Sequence, residues 1–193
     1  MRKPFMVEFT GTPEAGKTTT IRNVANKLVN DGFNVIILKE SAESLPKEIP
    51  KGTWDANLWM HYQTQSSILR AKYSDADICL VDRGLIDSRF YGKKFLWENV
   101  CTEEEYEDFC KQFIKDLFPD YLICLTVTPE EAIRRRGGNG RLINEEYLRK
   151  YNYLFFRYYS ELSYNKTIFN TACMSVHEMN DLVYNSIKAK LLP

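Results

Sequence analysis

The sequence has no run of 18 apolar residues, no C-x-x-C pair, no excess of charge of either sign and only two histidines. Each absence removes a class of function. Without a long apolar run there is no segment to span a bilayer as a helix. The opening "MRKPFMVEFT" enters a strand pattern with no apolar leader, so the expected location is the cytoplasm. Five cysteines, an odd number with no paired spacing, point to a reducing compartment and no structural metal. Lys plus Arg and Asp plus Glu number 26 each, which argues against a dedicated nucleic-acid or membrane-surface partner. His61 and His177 have no partners at metal or triad spacing and read as structural or solvent-facing.

What is present is an ordinary globular composition over 193 residues, 44% hydrophobic and 27% charged. Residues 1–193 are expected to form one domain, since a chain of this length buries roughly 70% of the surface its unfolded form exposes. Strand-like runs alternate with helix-length segments. Residues 5–10, 34–39, 78–82, 121–127 and 167–170 read as strands. The second to fourth are near-continuous apolar runs, as in strands covered on both faces of a parallel sheet. Between the first two, Ile21, Val24, Ala25 and Leu28 recur at helical spacing and Gly32 supplies a stop. The pattern predicts an α/β fold, a three-layer doubly wound parallel sheet of five strands. The acidic run Glu103–Asp108 reads as a solvated helix face, and aromatics on nearly every face of "YNYLFFRYY" suggest a well-buried helix in which Arg157 is an exception.

"GTPEAGKT" matches G-x-x-x-x-G-K-[ST], and it follows a predicted strand and opens a predicted helix, the context that the motif requires. Gly11, Thr12, Pro13, Glu14, Ala15 and Gly16 would curl so that backbone N–H groups face phosphate oxygens; Lys17, Thr18 and Thr19 begin the helix. Lys17 would reach the β- and γ-phosphates of ATP, and Thr18 would offer its hydroxyl to Mg²⁺. The apolar strand "ICLV" ends in Asp82-Arg83 rather than the Asp-Glu of an AAA-type motor, and D-x-x-G and N-K-x-D, the marks of a GTPase, are absent. A small-molecule kinase remains, with an arginine suited to an anionic or hydroxyl acceptor.

Together, "EFTGTPEAGKTTT", "LVDRGLIDSRFYG" and "PEEAIRRRGGNGR…EEYL" resemble the thymidylate kinase and deoxynucleoside kinase group of P-loop kinases, in order and spacing over roughly the whole chain. The resemblance implies a five-stranded parallel sheet, a nucleoside or nucleoside monophosphate as acceptor, and a short Arg-rich lid at residues 134–144 that closes over ATP. It also implies that the chain can pair as a homodimer through helix faces. Asp82 would hold Mg²⁺, with a strand-end cap as the plainer alternative, and Arg83 would touch the acceptor. Glu40, after the second strand, would accept the acceptor's hydroxyl proton, or be an ordinary loop residue. The helix "TWDANLWMHYQTQSSILRAKY" would line the acceptor cleft, with Trp59, Gln63, Gln65 and Arg70 as the readers. In the lid, Arg135 and Arg141 would neutralise charge during transfer, while Arg134 packs at a helix end. Departures weaken thymidylate as the acceptor: "KESAES" stands where an Arg-Glu-Pro turn is usual, Glu14 where some relatives carry arginine, and no Gln follows Tyr91. Two other readings stay open, a nicotinamide riboside-like or other hydroxyl acceptor, and a nucleotide-binding switch that transfers nothing.

Overall fold

The structure, a computed structural model, describes residues 3–136 and 144–191. Five parallel strands lie in the order β2-β3-β1-β4-β5, with β1 at Phe5–Gly11, β2 at Val35–Leu38, β3 at Ile78–Asp82, β4 at Tyr121–Thr126 and β5 at Lys166–Asn170. Seven longer helices connect and flank them: α1 (Lys17–Asn30), α2 (Trp54–Lys72), α3 (Leu85–Trp97), α4 (Glu103–Lys111), α5 (Pro129–Arg136), α6 (Glu145–Ser160) and α7 (Val176–Leu191). The fold is the α/β parallel arrangement that the alternating pattern predicts.

Side chains alternate along each strand, so the sheet has two apolar faces. Val7, Phe9, Leu80 and Ile123 face Ile21, Val24 and Leu28 of α1 and Val183 and Ile187 of α7. On the opposite face, Leu122 and Cys124 pack with Ile86 and Phe90 of α3 and Phe155 of α6, while Met6, Cys79 and Val81 meet Ile68 of α2. Burial supplies the stability: each such side chain contributes about 1.5–3 kcal/mol. All five cysteines are free, with Cys79 and Cys124 inside the core. No helix among the described residues is long and apolar enough to cross a membrane.

Two expectations need correction. The second strand is not covered on both faces; it forms one edge of the sheet, half-buried, with Ile37 38% exposed. Its apolar run reflects one covered face and a β-favouring sequence, which pattern alone does not separate from a central strand. Nor is α6 buried all round. Tyr151, Leu154, Phe155, Tyr158 and Tyr159 form its inner face, and Tyr153 and Phe156 are exposed. Arg157 lies over Trp97, 4.4 Å from the ring centroid, where the cation meets the negative face of the indole.

Candidate functional site

The turn from β1 into α1 is built for an anion. Gly11 has φ 142°, and a Cβ there would overlap the Leu125 carbonyl oxygen at 1.8 Å, so only glycine lets the loop leave β1 so close to β4. Helices α2, α4 and α6 begin with side-chain caps from Thr53, Thr102 and Asn144, but α1 follows Gly16 with no side-chain cap. Its first amides are therefore left for another acceptor. Lys17 is buried and folds back on the loop, donating to the carbonyls of Thr12 at 2.9 Å and Gly11 at 3.4 Å. Burial, with repulsion from Arg83 behind it, lowers its pKa to about 8.

Beside the cradle, the Thr18 hydroxyl donates to Asp82 Oδ2 at 2.6 Å. Asp82 Oδ1 is buried and has no protein partner. A hydroxyl and an orphaned carboxylate oxygen at a P-loop form a hard oxygen donor set, which suits Mg²⁺.

Arg83 has φ 59°, an unusual backbone for a non-glycine residue and a common sign of a functional constraint. Its Nη1 donates to both carboxylate oxygens of Asp87, at 3.0 and 3.1 Å. Its Nε lies 3.1 Å from Glu40 Oε1, near enough to pair by charge but off the hydrogen-bonding direction. Asp87 also accepts from the Thr10 hydroxyl at 2.7 Å. Burial raises the Glu40 carboxyl above its ordinary range, against the pull of Arg83.

Glu40, Arg83 and Asp87 cluster in the lining of a cavity of about 230 Å³. Its wall also includes Lys51, Ala56, Asn57, Met60 and Thr64 of α2 and the turn before it, Ser88, Tyr91 and Phe95 of α3, and Tyr147 of α6. Helix α2, expected from the sequence at the acceptor cleft, lines this cavity, but through a different face from the one expected. Gln63 is exposed and borders a separate surface depression, and Arg70 is exposed. Trp59 is half-buried and is not part of the cavity wall. Gln65 is buried, but its amide is spent on protein: Oε1 accepts from Ile114 N–H, and Nε2 donates to the Gln112 carbonyl and to His61. Ala56, Asn57 and Thr64 are buried and turned to the cavity, while Tyr62 and Leu69 of the same helix are exposed.

The arginine segment is also rearranged. Arg134 makes two bonds to Glu131 and is exposed. Arg135 bonds Glu131, both the hydroxyl and the carbonyl of Thr171, and the Glu14 carbonyl. Its donors tie α5 to the end of β5 and to the cradle, so in this geometry it is a brace. Arg136 pairs with the Glu14 carboxylate at 3.5 Å. The two arginines hold Glu131 down to about 2. Arg141 lies outside the described residues.

Two carboxylates of this site escaped the motif reading. Glu8, in the middle of β1, is 1% exposed and accepts from the amides of Ile86 at 3.1 Å and Asp87 at 2.8 Å. It caps α3 from below the sheet edge of the site and so fixes where Arg83, Asp87 and Ser88 stand. Burial raises it to about 8. Gly84 makes room for it: a Cβ there would come within 2.5 Å of Glu8 Oε2. The available signal was a single acid within an otherwise apolar strand, a residue type almost never buried without a partner. Asp87 had no comparable signal.

Residues 6–175 match the family model described as AAA domain. A thymidylate kinase of Caldanaerobacter subterraneus subsp. tengcongensis is 26% identical over 166 residues, covering 76% of each chain. One of Finegoldia magna is 26% identical over 148 residues, 68% of this chain and 70% of that one. Among solved structures, a deoxyadenosine kinase from M. mycoides with the products dCMP and a flexible dCDP superposes with a TM-score of 0.74 at 23% identity, over 95% of this chain and 99% of the other. The same enzyme with dCTP gives 0.73 at 24%, over the same shares of the two chains. The Asp-Glu pair of an AAA-type motor is nevertheless replaced here by Asp82-Arg83. The chain belongs to the AAA domain family, and it is similar in sequence to thymidylate kinases and in fold to deoxyadenosine kinase.

Proposed function

We propose that this chain transfers the γ-phosphoryl group of ATP, in a Mg²⁺-dependent reaction, to the 5′-hydroxyl of a nucleoside. The observation that carries the reading is Glu40: a carboxylate whose pKa is raised by burial, beside Arg83 in the cavity wall. A hydroxyl acceptor has a proton to lose, and a carboxylate at that point can take it. The charge balance supports a neutral acceptor as well. Glu40 and Asp87 both pair by charge with one guanidinium, and among the described residues the exposed Lys51 is the other cation of the cavity wall. An incoming monophosphate would meet two carboxylates.

Lys17 holds the donor's phosphates, and Arg83 holds Glu40 toward the acceptor while Asp87 holds Arg83. Thr18 and Asp82 would hold Mg²⁺, which when bound neutralises charge on the phosphate oxygens. A second reading, phosphorylation of a nucleoside monophosphate, is favoured by the thymidylate kinase relatives and by Lys51.

An ADP-release assay with ATP and Mg²⁺ over nucleosides, their monophosphates and nicotinamide riboside tests the proposal. Nucleosides should give the highest kcat/KM. Turnover with monophosphates alone would select the second reading, and tight nucleotide binding with no acceptor-stimulated turnover would leave a switch. Asp82→Asn should lower kcat about tenfold and raise the Mg²⁺ concentration needed for half-maximal rate, with the fold kept. Loss of folding in that variant would make Asp82 a structural cap.

A further inference from the structure

The buried row Gln65–His61–Ser88 has a fixed hydrogen-bond direction, and it ends at the cavity. The Ile114 amide can only donate, so the Gln65 atom 2.9 Å from it is the carbonyl oxygen. The NH₂ group then faces the Gln112 carbonyl at 3.1 Å and His61 Nε2 at 2.9 Å. An NH₂ group donating to Nε2 makes that nitrogen the acceptor, which leaves the ring proton on Nδ1. Nδ1–H donates to Ser88 Oγ at 3.2 Å. Ser88 has thereby used an acceptor lone pair, and its own hydrogen has no acceptor among the described residues, although Ser88 lines the cavity. His61 is fully buried, and burial lowers its pKa to about 4, so the neutral ring persists at physiological pH.

Across the same wall, Asn57 is 2% exposed and its Nδ2 has no partner among the described residues. A buried NH₂ without a partner is costly unless a ligand supplies the acceptor. Around these two donors the wall is apolar or aromatic: Met60, Tyr91, Phe95.

We infer that Ser88 and Asn57 are the specificity-determining pair of the acceptor cavity, both acting as hydrogen-bond donors, and that His61 and Gln65 are positioning residues that hold Ser88 in the donor state. The inference rests on the nucleoside kinase reading and deepens it. Two donors select a base whose edge carries acceptor atoms, and the cavity, about 230 Å³, is smaller than the usual small-molecule range of about 300–1,000 Å³. The class that fits both is a pyrimidine nucleoside, read through its carbonyl oxygens or an unprotonated ring nitrogen.

Steady-state kinetics with deoxycytidine, thymidine, deoxyadenosine and deoxyguanosine test this. The wild-type chain should favour a pyrimidine. Ser88→Ala and the isosteric Asn57→Asp, which swaps a donor for an acceptor, should each raise KM for that nucleoside about tenfold, with kcat changed far less. His61→Leu should reproduce Ser88→Ala and add nothing in the double variant. His61→Asn, which keeps a donor near the Nδ1 position, should restore KM, so the series stays readable should His61→Leu fail to fold. Turnover of nucleosides with KM unchanged in Ser88→Ala and Asn57→Asp, or a purine preference, would overturn this inference alone. Absence of nucleoside turnover would remove the proposed function, and this inference with it.

Discussion

Replacing Lys17 with alanine should lower turnover by at least about 10²-fold through loss of charge stabilisation in the transition state, and the protein should not become less stable. The second half follows from the cost of the buried charge. Burial lowers the Lys17 pKa from 10.5 to about 8. The unfolded chain binds the proton more tightly, so stability rises as pH climbs from about 8 to about 10.5, and below pH 8 the penalty is present in full. That penalty is about 3 kcal/mol at neutral pH. The bonds to the Gly11 and Thr12 carbonyls offset about 1 kcal/mol each. Alanine removes both terms, so the melting temperature should stay level or rise while activity collapses. Calorimetry alongside the ADP-release assay reads both. A large drop in melting temperature would mean that Lys17 closes the loop for structural reasons, and near-normal turnover would remove it from the chemistry.

Glu40→Gln should lower kcat by about 10²–10⁴-fold for a nucleoside acceptor. Glutamine keeps an oxygen beside Arg83 and similar volume but cannot take a proton at neutral pH. KM should change little, since the carboxylate is proposed to act on the proton in transit. The pH profile gives an independent check. A base must be ionised, and burial raises the Glu40 pKa, so kcat/KM should fall with acid along a limb centred above the ordinary glutamate range. The limb should be missing in Glu40→Gln. The same variant separates the acceptors: a monophosphate needs no strong base, because its transfer depends on positioning and charge neutralisation. A mild effect of Glu40→Gln would therefore favour the monophosphate reading.

Residues 11–18 were readable because the cradle is local: glycine geometry, a helix start and a lysine six residues after Gly11 need no distant partner. Strands β3 and β4 were readable for the same kind of reason, since a parallel strand covered on both faces reads as a near-continuous apolar run. The acceptor side was not. The sequence offered Trp59, Gln63, Gln65 and Arg70 as readers on this helix, yet the fold turns Ala56, Asn57, Met60 and Thr64 to the cavity. Hydrophobic periodicity finds the side that meets a packed core, and this side meets an open cavity instead. Arg135 reads as a free lid cation until Thr171, 36 positions away in sequence, is brought against it.

The sequence alone determined the order of elements, the sheet's parallel character and the phosphate cradle, because each is specified by residues within about one turn or one strand of each other. The tertiary structure alone decided the pairings Thr18–Asp82, Arg83–Glu40 and Glu8 with the start of α3, and the direction of the row from Gln65 to Ser88. Those depend on strand order and helix rotation to within an ångström. A hydrogen bond or a buried charge exists only at that precision, and hydrophobic patterning places a residue on a face without fixing what it touches.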